Sequence, residues 1–242
     1  MSLHDIKTPK YITPCPIEEA ALELRFQPNL PVDIILGMVF KGLEGYSNLT
    51  KLPILQLPEF IRESDPNLIY SPYYKLEKDS FVLQIGPRIL SFVCLRDYVG
   101  WENFYGEFTR ILKVYSDLNI FDHVEKIGLR YIDFFPEVNV FEKINIKLSY
   151  DETIFSKGSR FLKQESTKDD FSVAISINDS AKFNDQTGSM IDIDVMSNNV
   201  ASMDDIKGSL EKAHDYEKIF FFSLLEQNFL NSLNPTYEKG VS

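Results

Sequence analysis

The chain is poor in the residues that make compact chemistry easy. Its 242 residues include two cysteines, three histidines and one tryptophan. Two cysteines are too few for the disulfide framework of a small secreted domain. Cys15 and Cys94 are read as reduced thiols, a single bridge between them being the alternative, with Cys94 as core filler in the apolar run Phe92-Val93-Cys94-Leu95. His4, His123 and His214 show neither H-x-x-x-H nor H-E-x-x-H spacing, so no metal is expected. Phosphate loops, the dinucleotide glycine pattern and the G-x-S-x-G elbow are missing too, and neither cysteine has a basic neighbour to activate it. No catalytic residue and no cofactor are expected on these grounds. Positive charge is also short: 25 Lys+Arg against 36 Asp+Glu give a net charge of −11, which argues against nucleic acid as the principal partner. No apolar stretch approaches the ~18 residues of a membrane-spanning helix. Met1 to Lys10 contains no apolar core of a signal peptide, so the expectation is a cytoplasmic protein without a membrane partner.

What is present is an ordinary globular composition, 44% hydrophobic and 13% aromatic, on a chain long enough to bury a core. Pro9, Pro14 and Pro16 make residues 1–16 an extended arm. Leu22, Leu24 and Phe26 alternate with Glu23 and Arg25, the period of a half-buried strand. Val32, Ile35, Leu36, Val39, Phe40 and Leu43 follow at helical spacing. Residues 47–73 hold four prolines and read as a long connection, functional or mobile. Strands are predicted at Tyr74–Lys78, Phe81–Ile85 and Ile89–Leu95, then a helix carrying the aromatic stripe Trp101 to Tyr115. The second part repeats that order. A strand at Val124–Phe134 and a short helix around Val140–Leu148 come first. Strands near 160–165, 171–177 and 190–195 follow, with a long helix from about Asp204 to Leu233 that Ser202 and Asp205 open as a capping box. The fold class read from this is α+β, an antiparallel sheet with helices on one face, and an internal duplication of a strand–helix–three strands–helix unit. The halves 17–120 and 121–242 are expected to pack as one globular unit. By analogy with saddle-like folds, they would share a continuous curved sheet. The run Ile219 to Leu225 nearly encircles its helix with apolar side chains, so burial on more than one side is expected, with a homodimer as one way to supply it.

Four places carry candidate chemistry. Arg25 and Arg130 hold matching positions in Leu24-Arg25-Phe26 and Leu129-Arg130-Tyr131, and with Asp133 they form the candidate ligand-binding set. Two arginines on equivalent strands suit an anion or a partner carboxylate, while pairing with a nearby acid is the plainer alternative. Asp192 and Asp194 share one strand face, as a hard-cation site or as a solvated face. His214, with Asp215 and Glu217 near it, is read as a core hydrogen-bonding residue before a catalytic one. Tyr70, Tyr73 and Tyr74 give the long connection an aromatic recognition surface.

Three segments taken together carry a resemblance. They are Pro16-Ile17-Glu18-Glu19-Ala20 leading into Leu22 to Phe26, Ile127-Gly128-Leu129-Arg130-Tyr131-Ile132-Asp133, and Leu210 with Ala213-His214-Asp215 ahead of Phe220 and Phe221. In this order the chain resembles, from about Pro14 to Leu233, a sporadically distributed prokaryotic family of about 250 residues with unassigned function. The resemblance implies a cytoplasmic bacterial or archaeal protein of patchy occurrence, suited to an accessory or defence locus, and it supplies no catalytic residues. The functional expectation is a non-enzymatic binding or regulatory protein with a protein partner. A small-ligand binder or enzyme, using a pocket between the sheet and the long C-terminal helix, is the alternative.

Overall fold

The structure, a computed structural model, describes residues 8–147, 149–150, 153–154, 158–197 and 203–238. Strand β1, Ile17–Pro28, buries Ala20, Leu22, Leu24 and Phe26 completely and turns its intervening side chains the other way. Pro31 then precedes helix α1, Val32–Gly42. The connection 47–73 is more regular than its prolines suggest. It contains β2, Ser47–Lys51, a 3-10 turn at Pro53–Gln56, and α2, Glu59–Ser64. Pro53 opens the turn and Pro58 immediately precedes α2, positions where a missing N–H costs nothing. β2 has no apolar period because it is an edge strand with all five residues exposed.

Strands β3 (Tyr74–Lys78), β4 (Phe81–Ile85) and β5 (Ile89–Leu95) keep the bounds read from the sequence. The β4–β5 turn requires Gly86, since a Cβ there would lie 2.6 Å from the Ser71 carbonyl oxygen. Helix α3, Trp101–Asp117, buries Phe104, Phe108, Ile111, Leu112 and Tyr115. Phe92 of β5 stacks on Phe104 and Phe108 at 5.2 and 5.8 Å.

Strand β6 runs over Phe121–Pro136. The helix expected at Val140–Leu148 is only a 3-10 turn at Val140–Glu142, with Leu148 outside the described residues. The short hairpin β7 (Ser149–Tyr150) and β8 (Thr153–Ile154) forms a separate two-stranded sheet. Next come β9 (Phe161–Lys168), β10 (Phe171–Phe183) and β11 (Gln186–Ser197). The long terminal helix is two helices, α4 (Met203–Leu224) and α5 (Gln227–Ser232). The break has a visible cause. Asn145 Nδ2 donates to the carbonyls of Ser223 and Leu225, and the Glu226 N–H leaves the helix for the Lys143 carbonyl. The capping residue Ser202 lies outside the described residues.

Nine strands form one antiparallel sheet in the order β2-β3-β4-β5-β1-β6-β11-β10-β9. No helix among the described residues is long and apolar enough to cross a membrane. By compactness the described residues fall into two units. A terminal unit comprises residues 1–18, 130–195 and 214–242, and a central unit comprises 19–129 and 196–213. β1, β6, β11 and α4 each contribute to both.

In the central unit, β5 pairs antiparallel with β1 from Glu19↔Leu95 to Arg25↔Ile89. β6 is antiparallel to β1 as well, the Asn29 N–H reaching the Ile120 carbonyl at 2.8 Å. In the terminal unit, the Glu137 N–H meets the Thr187 carbonyl and Arg130 meets Asp192, so β11 runs antiparallel to β6. α4 lays Phe221 and Leu224 into this unit's core, while Ile219, Phe220 and Phe222 are half-buried. The apolar encirclement read from the sequence is therefore only partly buried.

Candidate functional site

In the terminal unit β6 and α4 meet as a ladder of three matched pairs. Alternation along the strand puts Tyr131, Asp133 and Phe135 on one face. Helical spacing puts His214, Glu217 and Phe221 on one stripe. The Tyr131 ring meets the His214 ring at 6.1 Å, with the hydroxyl 3.4 Å from Nδ1. Phe135 stacks on Phe221 at 6.5 Å. Between these aromatic pairs lie the two carboxyl groups, Asp133 at 2% exposure and Glu217 at 4%.

Burial pushes the pKa of both acids up, and the negative charge of Asp133 adds to the effect at Glu217. Neither makes an ion pair among the described residues. Burial pulls His214 the other way, down to about 3, with Lys218 adding to the shift. Its imidazole is neutral at physiological pH. Lys218 is itself lowered by burial and has Asp215, Glu217, Glu238 and Lys10 around it. Asp133 and Glu217 are thus two buried acids close enough for the charge of one to raise the pKa of the other.

The opposite face of β6 carries a different chemistry. Arg130 makes a two-point contact with Asp192 of β11 at 2.8 and 2.7 Å. Asp192 is thus engaged by an arginine, the plainer alternative for Arg130 and neither of the two read for Asp192. Among the described residues no group of three or more His, Cys, Asp and Glu side chains could hold a metal ion.

In the central unit Arg25 donates from Nε to Glu23 at 2.6 Å, and its guanidinium lies 4.9 Å over the Tyr70 ring. The Tyr70 hydroxyl donates to Glu125 at 2.5 Å, and Gln27 donates to the same carboxylate. That carboxyl stays below its ordinary range despite burial, through these two hydrogen bonds and the charges of Arg88 and His123. A second knot ties Glu107 to Arg110 at 2.7 Å, to Lys78 at 3.0 Å and to the Tyr46 hydroxyl at 3.1 Å. It holds Glu107 at about 2. Lys78 also borders an open cleft of about 520 Å³ that Asn48, Asp79 and Ser80 share.

Of the candidate set Arg25, Arg130 and Asp133, the structure does not bring the last two together. Arg130 and Asp133 leave β6 from opposite faces, because an odd separation on a strand reverses the side chain. Arg25 belongs to the central unit with Tyr70 and Glu125 as company. Cys15 is exposed and Cys94 buried, both free. His123 is exposed and His4 lies outside the described residues. Glu217 was legible only as a neighbour of His214. The stronger signal was its place on the apolar stripe Ile206, Leu210, Ala213, Leu224, where a carboxylate does not belong unless something is built around it. Glu125 gave no such signal. Comparison with protein-family models and with curated proteins returns no match.

Proposed function

We propose that the chain is a non-enzymatic binding protein that docks a protein partner on α1 and the neighbouring segment around α2. One observation carries this reading. α1 is apolar almost all round, with Asp33 and Lys41 its only charges, yet it buries only Ile35 and Val39. Ile34 and Phe40 are 49% and 47% exposed, and Phe60 on α2 is 71% exposed. A helix apolar on every side is normally enclosed, so this surface has the character of an interface. The two elements are tied together: Tyr74 donates to Asp33 at 2.8 Å, and Arg62 of α2 lies 4.5 Å over the Tyr73 ring. A cytoplasmic setting and an accessory or defence locus, as the family resemblance implies, belong to the same reading.

The test places a photo-crosslinking residue at Phe40, at Phe60 and, as a control, at Lys113 on the exposed side of α3. In native cells the first two should give an adduct with the same identified protein, absent from the control and lost with Ile34→Asp. No adduct above the control rejects this surface.

A second reading, a small-ligand binder or enzyme working between β6 and α4, is favoured by the buried acids Asp133 and Glu217, since perturbed buried carboxyls concentrate at functional sites. It predicts a small molecule that raises the melting temperature of the wild type and not of Glu217→Gln. A broad metabolite screen without such a compound counts against it.

We also propose that the halves descend from one duplicated unit. The support is shared wiring. Each half opens with a long strand, and the last strand of a later meander, β5 or β11, pairs back onto that opening strand before a helix follows. Superposition of Ile17–Asp117 on Phe121–Leu224 tests it, and failure of the long strands and meanders to coincide would refute it.

A further inference from the structure

We propose that the chain forms a homodimer by pairing β9 with β9 of a second copy, antiparallel, about a two-fold axis at Gln164. β9 ends the sheet order. Its inner side is fully used, eight residues paired with β10 from Phe171↔Lys168 to Asn178↔Phe161. Among the described residues no strand pairs with its outer side, β7 and β8 being paired with each other. An edge of this length presents a row of backbone donors and acceptors to whatever can match it. Its side chains are open as well: Phe161 is 64% exposed, and the Lys163 and Glu165 side chains are 53% and 70% exposed.

The second copy is the occupant because the strand is complementary to itself in one register. The N–H and C=O groups that point outward belong to alternate residues. Two identical edges therefore match only when facing residues are both odd or both even. With Gln164 facing its own copy, Lys163 faces Glu165 of the second copy, and Glu165 faces its Lys163. Phe161 faces Thr167, and Leu162 faces Ser166. Sliding by one permitted step sets Lys163 against Lys163, and the step the other way sets Glu165 against Glu165. Like charges directly opposite are destabilising, so the charges at 163 and 165 select this register, Lys168 falling opposite Arg160, which lies before the strand and is already paired with Asp179. Within one chain Lys163 and Glu165 already attract each other at 2.7 Å. The dimer lets each reach across the axis instead. This contact is isologous and closed, as most homodimers are, and it lies on the sheet edge and not on the terminal helix.

Sedimentation of the full chain over a wide concentration range tests the idea. The wild type should show dimer mass at its upper end. Lys163→Glu sets acid against acid twice by symmetry, and Glu165→Lys sets base against base twice. Each should weaken dimerisation about tenfold or more. Combining the two reversals restores opposite pairs and should restore the wild-type affinity. That recovery also shows that the single variants had not failed through misfolding. A wild type that stays monomeric throughout overturns the proposal. So does a dimer indifferent to the single reversals, or one that the double reversal does not rescue.

Discussion

His214 should make the protein sensitive to acid, and the size of the effect follows from its burial. The imidazole is drawn from its ordinary 6.5 to about 3 by burial, with the positive charge of Lys218 contributing. The Tyr131 hydroxyl on β6 lies 3.4 Å from its Nδ1, and Lys218 on α4 is the charge that bears on it. A histidine lowered in the folded state binds its proton first in the unfolded chain. Its contribution to stability is complete above pH 6.5 and is lost as the pH falls toward 3, at about 1.4 kcal/mol per unit. By pH 4 the loss is about 3 kcal/mol, a large share of the roughly 5–15 kcal/mol that holds a typical domain together. Asp133 and Glu217 act in the opposite sense. Their raised pKa values make the folded state weaker as the pH rises above the ordinary carboxyl range and stronger as it falls back. The wild type should therefore show a flattened profile in which the two effects oppose each other. Removing the imidazole with His214→Gln takes away its own share of the pH dependence and leaves that of the carboxyls, the lowered Glu107 and Glu125 among them, unchanged. Between pH 7 and pH 4 the variant should gain about 3 kcal/mol on the wild type, measured by urea denaturation at each pH. Parallel profiles for variant and wild type, or a His214 ring signal titrating near 6.5, would refute the reasoning.

Glu217→Gln should raise stability at pH 8 and lose its advantage near pH 4, where the carboxyl is protonated in folded and unfolded chain alike; equal gains at both pH values would show that ionisation is not the cause. Phe221→Ala should cost about 3–5 kcal/mol, the range for a buried phenylalanine, because Phe221 is 5% exposed and contacts the rings of Phe135 and Phe222. Phe220→Ala should cost clearly less, the residue being half-buried, and equal midpoints in urea for the two variants would contradict the packing described. Gly188→Ala should destabilise by more than about 1 kcal/mol, since the new Cβ would lie 2.2 Å from the Phe135 carbonyl oxygen and 2.9 Å from Pro136 Cα, backbone that cannot step aside. A wild-type thermal melt for this variant would mean that β6 and β11 approach less closely than described.

The sheet was readable because its signals are local. β3, β4 and β5 are short alternating runs separated by Asp79 and Gly86, residues that fit tight turns, and their bounds match the sequence reading. The aromatic stripe of α3 was equally plain, because one face of a helix repeats at a fixed spacing. What failed depended on partners far along the chain. Nothing at Leu225-Glu226 marks a helix end, no glycine and no proline. The stop comes from Asn145 and Lys143, some 80 residues upstream, which take over the last carbonyls and the next N–H. The same attachment draws the chain around Asn145 away from helix, so one long-range contact accounts for both misreadings. β2 and α2 were missed for another reason. An edge strand of polar residues and a helix of six residues have no apolar period to read.

The candidate site shows the same division between local and distant information. Arg25 and Arg130 looked equivalent, each the middle of an apolar–Arg–aromatic triplet. Their settings differ because of what lies next to each in space. Arg130 meets Asp192 from an adjacent strand, a two-point contact with the arginine side chain 44% exposed, so it contributes orientation more than stability. Arg25 lies under Tyr70, delivered by the long connection 47–73. That connection also brings the Tyr70 hydroxyl to Glu125 and carries Phe60 outward. In the first half this connection covers Arg25 and presents an apolar surface. In the second half Arg130 is 44% exposed beside Asp192, and the buried acids Asp133 and Glu217 lie on the opposite face of β6. The two readings, partner docking and a ligand site beside the buried acids, thus rest on separate units. Loss of the docking surface through Ile34→Asp should leave the pH behaviour of His214 and Glu217 untouched. Equal pH profiles for Ile34→Asp and wild type, beside an altered one for Glu217→Gln, are what that separation requires.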